Sequence, residues 1–265
     1  MNWNKTELLA LLPQRMRGMV YDDVQEVRLR LGQRPMLVAR TGIRLLDGAV
    51  GEGELQFPIN AASRYSPWNA GTLKEGYLTA PGGHRIGVCG DGTEGGLRSI
   101  TSVCIRVARD VPGIAAGLPS DGNLLLLGPP GSGKTTLLRD LIRCAARTGP
   151  VAVVDERREL FPEGFRRGEN TDVLSGVSKP RGIGMVLRAM GPKTIAMDEV
   201  TGKADCEALL QALWCGVTLL ATAHAGSVRD LRERPVYAPL VRTGLFTRAA
   251  VLDRKQCWHL EEVGG

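Results

Sequence analysis

Aromatic residues make up only 5% of this 265-residue chain, and histidine occurs three times. A surface that holds nucleic acid by base stacking is therefore not expected. Long apolar runs are missing too. The longest uncharged ones, such as Val217–Ala223 and Leu124–Leu127, fall far short of the roughly 20 residues a membrane-spanning helix needs. The opening stretch, MNWNKTELLALLPQRMRG, is interrupted by Glu7 and Arg15. It lacks the apolar core and small-residue cleavage site of a signal peptide, so a cytoplasmic location is expected. Six cysteines (Cys89, Cys104, Cys144, Cys206, Cys215 and Cys257) form no C-x-x-C pair and have no histidine at ligand spacing. Buried free thiols are expected rather than a zinc site or a disulfide framework. Neither charge sign is scarce: 34 Lys and Arg stand against 28 Asp and Glu, a net +6. The basic residues are dispersed among the acids, so the charge alone selects no partner.

What is present divides into three stretches. Residues 1–110 read as a small α+β domain. A helical spacing of Leu8, Leu9, Leu12, Met16 and Met19 predicts one helix over residues 6–19. Apolar runs at 36–39 and 43–46 flank a Thr-Gly turn like a hairpin, and 55–65 is read as a second helix. Three short strands at 77–79, 85–89 and 102–107 suggest a meander. Residues 111–122 (VPGIAAGLPSDG) are rich in Pro and Gly and read as a linker. From residue 123 to 265 buried-strand runs alternate with helical patterns, which predicts an α/β domain with a parallel sheet covered on both faces. Residues 156–184 show little periodicity and are read as a long ligand-responsive loop.

The chemistry begins after the Leu124–Leu127 run. Gly128-Pro129-Pro130-Gly131-Ser132-Gly133-Lys134-Thr135 satisfies G-x-x-x-x-G-K-[ST], with Thr136 following, and leads into a helical pattern. Glycines let successive N–H groups turn inward, and the helix N-terminus adds its positive end to the same anion nest. Lys134 is expected to reach the β- and γ-phosphates of ATP, and the Thr135 hydroxyl to bind Mg2+. A triphosphate site also needs carboxylates. Thr194-Ile-Ala-Met-Asp198-Glu199 ends an apolar strand in two acids. Asp198 is expected to fix the magnesium and Glu199 to polarise the attacking water. A strand at 151–154 ends in Asp155 and Glu156, which would face the nucleotide from the same sheet edge. Another, Leu219-Leu-Ala-Thr222-Ala-His224, places His224 where a γ-phosphate sensor would stand.

Four strand ends bearing GPPGSGKTT, VDERREL, IAMDE and ATAHA resemble the Walker A, acidic, Walker B and histidine boxes of the secretion-type ATPases of type II and type IV systems. The sporulation branch of that group, the stage III AA family, is closer still. Its pattern is matched by Glu26-Val-Arg28-Leu-Arg30-x-Gly32-x-x-Pro35, by Gly76-Tyr-Leu-Thr79 with Gly82-Gly-His84-Arg85-Ile-Gly87, and by Ile105-Arg106-Val-Ala-Arg109. Gly184-Met185-x-Leu187-Arg188-x-Met190-x-Pro192 extends the match up to the acid pair. Val200-Thr201 departs from the expected Ile-Gly but leaves the acids intact. The resemblance implies a RecA/AAA+-like P-loop NTPase core behind a smaller N-terminal α+β domain. It also implies a homo-hexameric ring and membrane proteins of a sporulation export or channel complex as partners. Arg85, Arg106 and Arg109 would face a neighbour's nucleotide, with Arg188 lining the same site from the motor domain. Leu174-Ser-Gly-Val-Ser178 mimics the signature of ABC transporter ATPases, but lies only about 40 residues after the phosphate loop, too close for their helical subdomain. A nucleic-acid-dependent P-loop ATPase is the alternative reading, and nucleic acid is not the expected partner.

Overall fold

The computed structural model describes residues 5–39, 41–63, 76–119, 121–162, 164–253 and 257–263. The chain divides into two units, Met1–Asp110 with Pro162–Phe165, and Val111–Phe161 with Arg166–Gly265.

The first unit opens with two short helices, α1 (Lys5–Ala10) and α2 (Gln14–Arg17), where one helix was expected. Pro13 has no N–H to donate and an extended ψ of 143°, so the pattern breaks there, while Leu8, Leu11, Leu12 and Met16 all stay buried. Next come β1 (Val24–Arg30), β2 (Met36–Ala39), β3 (Gly42–Leu45) and α3 (Glu52–Ala62). Residues 64 and 65 of the expected second helix lie outside the described residues. β4 (Tyr77–Thr79), β5 (Arg85–Cys89), a small hairpin of β6 (Gly92–Thr93) and β7 (Gly96–Leu97), and β8 (Ser102–Arg106) complete the unit. The sheet runs β3-β2-β1-β8-β5-β4, antiparallel at every junction. Strand alternation sorts its two faces. Val27, Leu29, Ile86, Val88, Val103 and Ile105 join one apolar core with the helices, each side chain contributing roughly 1.5–3 kcal/mol of burial. The opposite face carries Arg28, Arg30, Arg85, Cys104 and Arg106. Gly83, at φ +74°, has Pro162 so close that a Cβ would lie 2.4 Å from its Cγ; the missing side chain admits the Pro162–Phe165 segment.

The second unit contains β9 (Leu124–Leu127), α4 (Lys134–Ala146), β10 (Val151–Asp155), β11 (Thr171–Ser175), α5 (Lys179–Met190), β12 (Thr194–Met197) and α6 (Lys203–Trp214). It continues with β13 (Thr218–Ala223), α7 (Val228–Glu233), α8 (Ala238–Arg242), β14 (Arg248–Leu252) and β15 (Trp258–Glu262). The sheet order is β11-β10-β12-β13-β9-β14-β15, parallel from β11 through β14, with β15 antiparallel at its edge. Leu125, Val154, Met197 and Ala221 pack with Ile183 of α5 and Leu209 of α6. The alternate strand residues Leu124, Leu126, Val151, Val153 and Leu220 are buried as well, and α4 packs on these strands, so both faces are covered. Residues 111–122 belong to this unit: Ala115 and Leu118 are buried, and the Ala115 N–H donates to Asp140 Oδ2 at 2.8 Å.

The stretch 156–184 is not one long loop. It contains β11 and the start of α5. Its glycines serve packing: a Cβ on Gly182 would lie 2.6 Å from Val154 Cγ1, so only glycine brings α5 this close to β10. Pro180 lies in the helix's first turn, where its missing N–H is harmless.

Candidate nucleotide site

Parallel pairing makes β9, β10, β12 and β13 end at one sheet edge, with Leu127 level with Ala223, Ala221 level with Met197, and Met197 level with Val154. The residues at and just beyond these ends, residues 128–135, Asp155, Asp198-Glu199 and His224, are thereby gathered. This is the edge where parallel α/β sheets hold ligands.

The phosphate loop turns through glycines at φ +156° (Gly128), +78° (Gly131) and +95° (Gly133), values that other residues rarely adopt. A Cβ on Gly128 would lie 2.6 Å from Ser132 Oγ and 2.7 Å from Leu252 O. Pro129 and Pro130 form the outer turn, and Lys134, Thr135 and Thr136 open α4. Lys134 is buried, and its Nζ donates to Gly128 O (2.8 Å) and Pro129 O (2.9 Å). Burial lowers its pKa, and the charges of Asp198 and Glu199 work in the opposite direction.

The acid pair is held from both sides. Thr135 Oγ1 donates to Asp198 Oδ2 at 2.8 Å, and Thr222 Oγ1 donates to Asp198 Oδ1 at 2.6 Å. Thr222 Oγ1 also accepts the Glu199 N–H at 2.8 Å. Glu199 adopts φ +52°, an uncommon value for a residue with a side chain. One carboxylate oxygen of Glu199 pairs with Arg157, and the other lies 3.0 Å from His224 Nε2. His224 Nδ1 is 3.3 Å from Lys134 Nζ. A lysine ammonium on one ring nitrogen and a carboxylate on the other assign the proton to Nε2. His224 therefore links the phosphate-loop lysine to Glu199.

Asp155 and Glu156 line one cleft with Asp198 and Glu199, and their carboxylates are already partnered within the protein. Asp155 is 3% exposed and accepts the N–H groups of Glu159 (2.9 Å) and Leu160 (3.0 Å), closing its own turn. Burial raises its pKa, those amides oppose the rise, and the nearby Asp198 adds to it. Glu156 pairs with Lys179 Nζ at 2.8 Å.

The N-terminal arginines lie in the first unit. Arg85 stacks on Tyr77, 4.4 Å from the ring centroid, Arg106 lies 3.9 Å from Glu26, and Arg109 donates to Val24 O at 2.7 Å. Arg85 and Arg106 stand directly opposite each other across β5 and β8. With Arg28 and Arg30 they line an open groove of about 450 Å³ floored by Gly87 and Cys104. Arg188 is exposed near the C-terminal end of α5. Nine residues from Lys179, it lies about 14 Å along the helix, toward the opposite sheet edge from the phosphate loop.

Thr222 as a positioning group, Arg157 and Lys179 carry little signal in the sequence. A hydroxyl in the otherwise apolar run LLATA is the one signal that pointed to the first. The other two look like ordinary loop charges until the fold brings them to the acids.

The residues present suit a magnesium-bound triphosphate. Ser132 Oγ is buried with no hydrogen-bond partner among the described residues, and it belongs to the loop whose amides would face phosphate. The Thr135 hydroxyl and Asp198 carboxylate are hard oxygen donors of the kind Mg2+ prefers, with phosphate and water completing the shell.

The fold and the strand-end residues define a P-loop protein with a RecA/AAA+-like core, the fold of solved secretion ATPases. An X-ray structure of the Legionella pneumophila ATPase DotB superposes with a TM-score of 0.55 at 17% identity, covering 90% of this chain and 75% of that one. The pilus retraction motor PilT with bound ADP gives 0.61 at 18%, covering 86% and 74%. The family model for sporulation stage III protein AA matches residues 5–259, and the chain belongs to that family. The Bacillus subtilis stage III sporulation protein AA is 36% identical over 281 residues, 94% of this chain and 91% of that protein. Competence protein ComGA of Streptococcus pneumoniae is 25% identical over 57% of this chain and 51% of its own.

Proposed function

We propose that this chain is a Mg2+-dependent ATP hydrolase that works as a ring-forming motor for a membrane-embedded sporulation export or channel apparatus. The observation that carries the reading is the convergence of Lys134, Thr135, Asp198 and Glu199 at one sheet edge, with Thr135 Oγ1 and Asp198 Oδ2 2.8 Å apart. The amides of the 128–135 loop and Lys134 bind the phosphates. Thr135 and Asp198 hold the magnesium, which neutralises phosphate charge when bound. Glu199 polarises the attacking water, and His224, placed between Lys134 and Glu199, reports the γ-phosphate to the base. Arg85, Arg106 and Arg109 complete the site of a neighbour in a hexamer. No helix among the described residues is long and apolar enough to cross a membrane.

Phosphate release by the purified chain tests this. Wild type should hydrolyse ATP with Mg2+ and lose activity without it, and Lys134→Ala should lose both nucleotide binding and turnover. A wild-type rate no higher than that of Lys134→Ala would refute the reading. The arginine groove favours a second reading, an ATPase stimulated by nucleic acid. Stimulation by single-stranded DNA or RNA that weakens with added salt would mark that alternative.

A further inference from the structure

Lys179 is 4% exposed and is the first residue of α5. That placement opposes two physical preferences. An ammonium withdrawn from water is penalised unless its partners compensate, and a cation in the first turn of a helix meets the positive end of the helix dipole. A well-packed apolar side chain in the same space would serve stability as well or better. Two carboxylates offset the charge: Glu156 Oε2 at 2.8 Å and Asp205 Oδ2 at 3.8 Å.

Those two carboxylates belong to the two segments that carry the Glu199 environment. Glu156 immediately precedes Arg157, which pairs with Glu199. Asp205 accepts the N–H and the hydroxyl of Thr201 at 2.9 and 3.0 Å, and Thr201 lies two residues beyond Glu199. Contacts and chain adjacency together close a ring: Lys179 to Glu156, along the chain to Arg157, to Glu199, along the chain through Val200 to Thr201, to Asp205 and back to Lys179. Lys179 is its one member from α5, the helix held against β10 through Gly182.

We infer that Lys179 is a positioning residue for Glu199, clamping the turn after β10 to the turn after β12 so that the carboxylate meets the attacking water in a fixed place. The inference rests on the proposed ATP hydrolysis. A shift of α5 relative to the sheet would move both turns together, which makes this helix a route by which rearrangement of the motor reaches its base.

The test uses the full chain with steady-state ATP hydrolysis and fluorescent-nucleotide binding. Lys179→Met should lower kcat by roughly 10–100-fold, as loss of placement at a reacting centre does, while KM and nucleotide affinity stay within about threefold. Lys179→Arg, which keeps the charge, should recover part of kcat. Added to Glu199→Gln, Lys179→Met should lower the residual rate by less than about twofold, because the group it positions is already disabled. If Lys179→Met does not fold, Glu156→Gln loosens the same clamp from its half-exposed side and should lower kcat several-fold at constant KM. Wild-type kcat in a folded Lys179→Met or in Glu156→Gln, or a full additional loss on the Glu199→Gln background, would overturn the inference alone. Absence of hydrolysis by wild type would overturn it together with the proposed function.

Discussion

The Thr222 hydroxyl donates to Asp198 Oδ1 at 2.6 Å while accepting the backbone N–H of Glu199 at 2.8 Å. The strand inserted between the phosphate-loop strand and the acid-bearing strand thus fixes both acids through one buried oxygen. Thr222→Val keeps the shape and removes both bonds. It should lower kcat about tenfold or more and destabilise the fold by about 1–3 kcal/mol, since Asp198 and the Glu199 amide lose a partner. Thr222→Ser should restore most of both. Steady-state kinetics and urea unfolding check this, and an unchanged kcat in Thr222→Val would show that the hydroxyl does not position the acids.

Arg85 and Arg106 face each other directly across β5 and β8, a like-charge pairing with Glu26 3.9 Å from Arg106. If these arginines serve a neighbour's ATP, Arg106→Ala and Lys134→Ala should each be nearly inactive alone, because an arginine at the transferring phosphate is worth on the order of 10³–10⁵ in rate. Mixed rings should regain activity, with the phosphate loop from one variant and the arginine from the other. Phosphate release from the mixture no greater than the sum of its parts would contradict action between subunits. In the wild type, the rate per chain should climb with protein concentration.

Much of the site was legible in the sequence. Glycines, Lys134 and Thr135 occupy a fixed spacing after an apolar strand, and Asp198-Glu199 ends another, so parallel pairing alone brings them to one edge. The destinations of Asp155 and Glu156 were not legible. Whether a carboxylate at a strand end faces a ligand or its own loop amides depends on how the 155–160 turn closes, and Arg158 at φ +59° is part of that closure. β1 was hidden because Glu26, Arg28 and Arg30 line its open face and a register shift between Val24 and Glu26 breaks the alternation. α5 was hidden because Gly182 and Gly184, which read as loop, lie within the helix, where Gly182 meets β10.

Cys206 supplies a prediction about stability. Burial pushes its thiol up to about 11 from 9.0, with Asp205 beside it adding to the rise. Between those values the folded chain keeps a proton that the unfolded chain has released. Stability is therefore fully present below about pH 9 and falls as pH rises toward about 11, by about 2–3 kcal/mol from this group. Urea unfolding of wild type and Cys206→Ala at about pH 8 and about pH 10.5 isolates the effect. The variant should show the shallower loss, and equal losses would assign the alkaline sensitivity elsewhere.

Glu199→Gln with bound nucleotide is the most direct test of the central claim that this sheet edge hydrolyses ATP through a carboxylate base. The substitution keeps the size of the side chain and removes its basicity. Measured side by side, nucleotide affinity should stay within a few-fold of wild type, while single-turnover ATP hydrolysis should fall by roughly 10²–10⁴, the range ascribed to a general base. Equal turnover by wild type and Glu199→Gln would contradict the account.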